Sequence, residues 1–129
     1  MNDILFTCSI DDFEVYPKVR MTQRSKWNPR AKRQLENQAN MATWFRIHYR
    51  GGNKKKEPIS FPCILSFAVH LPHKRRIDVD NIQKAIQDAL EYGGIVENDC
   101  LIRGTDKTRL WQKSKGVSRV CVTLKRLKD

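Results

Sequence analysis

Apolar side chains recur at every second position from Ile59 to Leu71, with Phe61, Cys63, Leu65, Phe67, Val69 and Leu71 on one face, and this period of two predicts a strand. Pro62 near its start places that end at an edge or a bulge. After it, Ile82, Ala85, Ile86, Ala89 and Leu90 fall at i, i+3, i+4, i+7 and i+8, a continuous apolar stripe that predicts a helix closed by Gly93 and Gly94 as left-handed caps. A longer helix is expected from Pro29 to about His48, with Asn28 as cap, Leu35, Ala39, Ala42 and Phe45 on its buried side, and Gly51 and Gly52 ending it. Ile4 to Ile10 reads as a first strand and Tyr16 to Asn28 as a basic loop. Two last strands, Thr105 to Lys113 and Ser118 to Lys125, are expected to form a hairpin turning at Ser114 to Gly116. The order of elements predicts an α+β fold: one domain over residues 1–129, with two main helices on a mixed or mostly antiparallel sheet.

Composition narrows what such a domain does. Its 129 residues are 40% apolar, enough to close one core, while 25 Lys and Arg against 14 Asp and Glu leave a net charge of +11. That excess points to a polyanionic partner, and DNA fits it because phosphate contacts release counterions. A membrane does not: no apolar run approaches the roughly 18 residues of a spanning segment. Met1 to Ile10 lacks a basic leader before an apolar stretch, so the chain is expected in the cytoplasm. The four cysteines are widely spaced, which argues against a zinc site or a disulfide framework, and Cys8, Cys63 and Cys121 are expected as buried thiols. His48, His70 and His73 lack zinc-site spacing, and core packing accounts best for Trp44 among the three tryptophans.

The acidic chemistry concentrates between the strand and the second helix. In Ile77-Asp78-Val79-Asp80-Asn81 an extended backbone sends Asp78 and Asp80 to one face and Ile77 and Val79 to the core. Two carboxylates side by side repel unless a cation lies between them, and all-oxygen ligation selects Mg²⁺ or Mn²⁺. A structural role is also open: Asp80, with Gln83 three residues on, resembles a capping box. Lys84 stands four residues from both Asp80 and Asp88, either as part of an exposed ion-pair ladder or with its ammonium near a scissile phosphate. A reversal after the double glycine can return Asp99 toward Asp78 and Asp80.

The stretch from Arg75 to Arg109 resembles the RusA-type Holliday junction resolvases, small phage- and prophage-borne endonucleases, through the pattern D-x-D-N-x-x-K-x-x-x-D-A-L followed by a glycine turn and an acidic pair. Here it reads Asp78, Asp80, Asn81, Lys84, Asp88, Ala89, Leu90, Gly93, Gly94, Asn98 and Asp99. Pro17 to Arg24 is similar to the basic amino-terminal segment of these enzymes. The resemblance implies that Asp78, Asp80 and Asp99 bind Mg²⁺, that Lys84 assists at the phosphate, and that the chain acts on four-way junctions and other branched DNA as a homodimer. Two departures stand out. Asn98 replaces the usual first aspartate of the pair, and Ile77 stands where a basic residue often precedes the first aspartate. Arg75, Arg76, Lys107 and Arg109 flank the motif as candidate DNA contacts. Two competing readings are a basic DNA-binding module without catalysis and a magnesium phosphohydrolase for a small substrate, the latter leaving +11 without a purpose.

Overall fold

The computed structural model describes residues 4–18, 29–112 and 116–127. They form an α+β fold in the order β1 (Ile4–Asp11), α1 (Pro29–Arg50), β2 (Cys63–Leu71), α2 (Val79–Tyr92), a 3-10 turn (Asp99–Leu101), β3 (Ile102–Thr105), β4 (Arg109–Gln112) and β5 (Arg119–Arg126). The five strands make one mixed sheet in the order β1-β5-β2-β3, with β4 also paired to β2. The central strand is β2, the one with the cleanest alternation. It runs antiparallel to β5 from Cys63↔Arg126 to His70↔Arg119, and parallel to β3 near its start and to β4 near its end. Cys63, Leu65, Phe67, Val69 and Leu71 are buried, and so are Phe6, Cys8 and Ile10 of β1 and Val120, Val122 and Leu124 of β5. All join the helices' apolar faces in a single core.

The stripe on α2 is buried as expected, and of the face expected for α1, Ala42 and Phe45 are buried and Ala39 half-buried, but Leu35 is not. The inner face of α1 is Ala31, Gln34, Met41, Ala42, Phe45 and Tyr49, while Leu35 is 49% exposed and Trp44, expected in the core, is 47% exposed on the outer side. Large residues decide the rotation: Phe6 of β1 meets Phe45 and Tyr49 edge-on at ring centroid distances of 5.9 and 5.8 Å. Glycine serves two purposes at the end of α2. Gly94, at φ 76°, is the left-handed residue. Gly93, expected to share that conformation, has φ −75° and ψ −9°. Its value is closeness, because a Cβ there would lie 2.8 Å from the Ala42 carbonyl oxygen of α1. With no basic residue in its own last turn, α2 is capped from α1, where Arg46 donates to the Gly93 and Tyr92 carbonyls.

The expected terminal hairpin does not form. β4 and β5 both pair with β2, in parallel and antiparallel sense, instead of with each other. A central apolar strand needs partners on both edges, and that demand outweighs the proximity of β4 and β5 in sequence. The segment expected as one strand from Thr105 breaks into β3 and β4 around Lys107, which has φ 52°. The Asn28 cap, the turn residues Ser114 and Lys115, and most of the basic loop after Lys18 lie outside the described residues. No helix among the described residues is long and apolar enough to cross a membrane. Cys8 and Cys63 are buried free thiols, Cys121 is only half-buried beside the Ser9 hydroxyl, and Cys100 is exposed. Burial, with a smaller contribution from Cys121, pushes the Cys8 thiol up to about 11, and burial raises Cys63 as well.

Candidate active site at the head of α2

Asp78, not Asp80, caps α2. Its backbone is extended (φ −81°, ψ 124°), its Oδ1 accepts the Asp80 N–H at 3.0 Å, and its carbonyl accepts the N–H groups of Asn81 and Ile82. The helix therefore starts at Val79, two residues before the capping-box reading places it. Helical turning also breaks the expected in-out alternation, so that Ile77 packs against the core while Val79 is 37% exposed. Asp78 and Asp80 are both exposed at the helix start, where carboxylates also complement the helix dipole.

The ion-pair ladder expected along α2 is not formed. Asp88 pairs with Lys18 at 2.5 Å, and Lys84 makes no ion pair among the described residues, leaving its exposed ammonium one turn beyond Asp80. Lys18 also donates its backbone N–H to the Asn81 carbonyl at 3.0 Å, so the segment after β1 is strapped onto α2 at two points. Asn37 of α1 holds the same strap, accepting from the Tyr16 N–H at 2.9 Å and donating to the Glu14 carbonyl at 2.7 Å. On the other side, His73 lies 3.5 Å from Glu14, and Gln112 of β4 donates to the Arg75 carbonyl. These ties frame a groove of about 920 Å³ with Asp78 and Asn81 on its wall. Arg75 and Arg76 line it, as do Arg30 and Arg33 from α1; Lys107 and Arg109 are exposed elsewhere, on the β3–β4 turn and on β4.

Asp99 does not join the pair within one chain. Its N–H is held by the Glu91 carboxylate at 3.2 Å, in the last turn of α2. At about 1.5 Å of rise per residue, the Glu91 and Asp80 backbones are about 16 Å apart along the helix. Among the described residues no three His, Cys, Asp or Glu side chains are grouped to hold a metal ion. The expected return of the chain to the helix start fails because Ile95 and Val96 stay bonded to the Leu90 carbonyl and to Ile59, which keeps the turn at the carboxyl end of α2. Asn98 has a local duty there, its Oδ1 capping the 3-10 turn through the Cys100 N–H at 2.9 Å. By donor chemistry, Asp78 and Asp80 suit a hard divalent cation, which keeps most of its shell as water and phosphate oxygens. Among the described residues, Asp99 does not supply a third carboxylate to this pair.

The family model described as Endodeoxyribonuclease RusA matches residues 12–125. The chain belongs to the RusA family. It is also 30% identical over 61 residues to the crossover junction endodeoxyribonuclease RusA of Aquifex aeolicus (strain VF5), covering 47% of this chain and 48% of that protein. The chain thus spans about half the length of the curated relative it matches. Within the RusA family match lie residues that the sequence did not single out: Arg30, Arg33, Gln34 and Asn37. The available signal for two of them was polarity at positions of α1 that point inward, Gln34 being buried and Asn37 half-buried.

Proposed function

We propose that this chain is a divalent-metal-dependent endodeoxyribonuclease, using Mg²⁺ with Mn²⁺ able to substitute, that resolves four-way DNA junctions by paired symmetric nicks. One observation carries the reading: Asp78, exposed at the head of α2, lies on the wall of a groove lined by Arg30, Arg33, Arg75 and Arg76 in a chain of charge +11, with Asp80 and Lys84 exposed on the next turns of the same helix. Asp78 and Asp80 are the residues to hold the cation. When bound, it supplies polarisation of a backbone phosphate and a water of lowered pKa. Asp78 is held in place for this by its own capping bond. Lys84 offsets the negative charge that grows on the phosphate during in-line attack, and Arg75 and Arg76 hold neighbouring phosphates. Lys107 and Arg109 serve as more distant contacts along a DNA arm.

The proposed assembly is a homodimer, working in the cytoplasm. A four-way junction presents two strands related by a two-fold axis, and a C₂ dimer presents two sites in the same relation. A two-fold that paired α2 antiparallel with its copy would bring Asp99 of one chain toward the start of the other's α2. Capping by Asp78 favours a second reading, a non-catalytic DNA-binding module whose acids are structural. Incubating the protein with a labelled four-way junction, a linear duplex and a single strand, with Mg²⁺ or EDTA, separates the two. Junction cleavage that needs Mg²⁺ supports the nuclease; equal binding with no cleavage in either condition supports the module.

A further inference from the structure

The groove beside Asp78 carries more positive charge than the motif residues supply. Arg75 and Arg76 come from the linker after β2 and Lys18 from the strap, but Arg30 and Arg33 come from α1, far away in sequence. Three acids oppose them: Glu14, which faces His73, Asp78 on the groove wall, and Asp88, which pairs with Lys18. The placement on α1 is unfavourable for the helix itself. Its first turn has no acid, and Arg30, Lys32 and Arg33 put positive charge at the positive end of the helix dipole. A stable helix start would have the opposite sign, so these side chains are suited to an external anion. The inner wall is polar as well: Gln34, only 3% exposed, lines the groove with its amide bonded to Gln38 at 3.2 Å.

We infer that this groove is a track for the sugar-phosphate backbone of the DNA strand being cut, with Arg30 and Arg33 of α1 contacting phosphates on one side of the position marked by Asp78. The inference rests on the nuclease reading above and extends the DNA-binding surface onto α1, which contributes nothing to the acidic motif. A track walled by arginines from two separate segments, α1 and the linker after β2, fixes the register of a strand, because successive phosphates meet charges whose spacing is set by the fold. A bound strand would also relieve the helix start of its mismatched charge.

The test measures binding of the full chain to a labelled four-way junction in EDTA between 50 and 200 mM salt, with Mg²⁺-dependent nicking assayed in parallel. Arg33→Gln should lower the slope of log K against log [salt] by about 0.7 to 0.9, and Arg30→Gln/Arg33→Gln by about twice that. Arg33→Lys should restore the slope. Lys55→Gln is the charge control, lying past the far end of α1, a helix of 22 residues. If the slopes of both glutamine variants match wild type while wild type nicks the junction, the track is wrong and the nuclease reading stands. Equal losses from Lys55→Gln would overturn the track too, since they would reflect net charge alone. A wild type that binds and cuts no DNA removes both.

Discussion

Asp78 is a helix cap in the structure and a proposed metal ligand, and one pair of substitutions separates the two roles. As cap it accepts the Asp80 N–H through Oδ1. Asp78→Ala removes that bond and should cost about 1 kcal/mol. Unfolding entropy of about 2.1 cal/mol/K per residue over 129 residues comes to about 0.27 kcal/mol/K, so the Tm should fall by about 4 °C. Asparagine caps about as well as aspartate. Asp78→Asn should therefore keep the Tm within about 2 °C while removing the charge that a cation requires. Since even outer-shell partners of a metal are worth 10- to 100-fold, losing a ligand should cut Mg²⁺-dependent nicking by about 100-fold or more. Thermal melting by circular dichroism and junction nicking with Mg²⁺ provide the two readouts. An Asp78→Asn protein that nicks at the wild-type rate would refute the metal role and leave Asp78 as a cap alone.

Asp80→Asn should abolish nicking while leaving junction binding intact or tighter, because it takes a negative charge from a site facing phosphates; unchanged turnover would contradict this. Light scattering should give about twice 15.1 kDa. A mixed dimer of Asp80→Asn and Asp99→Asn subunits should then regain one working site and nick a single strand if Asp99 completes the site across the two-fold, and should stay inactive if it does not. Gly93→Ala should cost about 1 to 3 kcal/mol, lowering the Tm by several degrees, since the new Cβ meets the Ala42 carbonyl at 2.8 Å and the Ile95 side chain at 2.9 Å. Cys8 keeps its proton to about pH 11 in the folded chain, while the unfolded thiol loses it near 9. The folded state thus holds more protons between those values, and the urea midpoint should fall as pH rises from 9 to 11; a flat midpoint would count against the buried thiol.

Much of this structure was legible where periodicity is complete. The alternation of β2 and the stripe of α2 leave one way to face the core, and both are buried as expected from Cys63 and from Ile82 on, although the strand starts at Cys63 rather than Ile59 and Phe61 is only partly buried. Leu35 misled for α1 because a stripe read from apolar residues alone ignores Gln34, whose amide is satisfied within the helix by Gln38. The cap shifted from Asp80 to Asp78 because Val79, β-branched and between two acids, reads as extended although it opens the helix. Strand pairing was beyond local reading, since β4 and β5 are placed by the edges of β2. Of the candidate site, spacing along α2 was legible and tertiary position was not. Asp78, Asp80 and Lys84 sit within two helical turns, whereas the position of Asp99 depends on a tertiary tie to Glu91.

The sheet order has a consequence for how the chain reaches this state. β5 lies between β1 and β2, so the pairing of Thr7 with Thr123 joins residues 116 apart. Contacts of such long separation must pay loop closure before they return any stabilisation, which makes folding slow relative to a helical domain of the same size. During synthesis α1, β2 and α2 emerge first, and the head of α2 with its acids can take shape early. The sheet cannot close until β5 arrives, leaving β1 and β2 with open edges that invite pairing with other chains. Mutations that slow the insertion of β5 should thus appear as aggregation during expression, with Asp78, Asp80 and Lys84 themselves untouched.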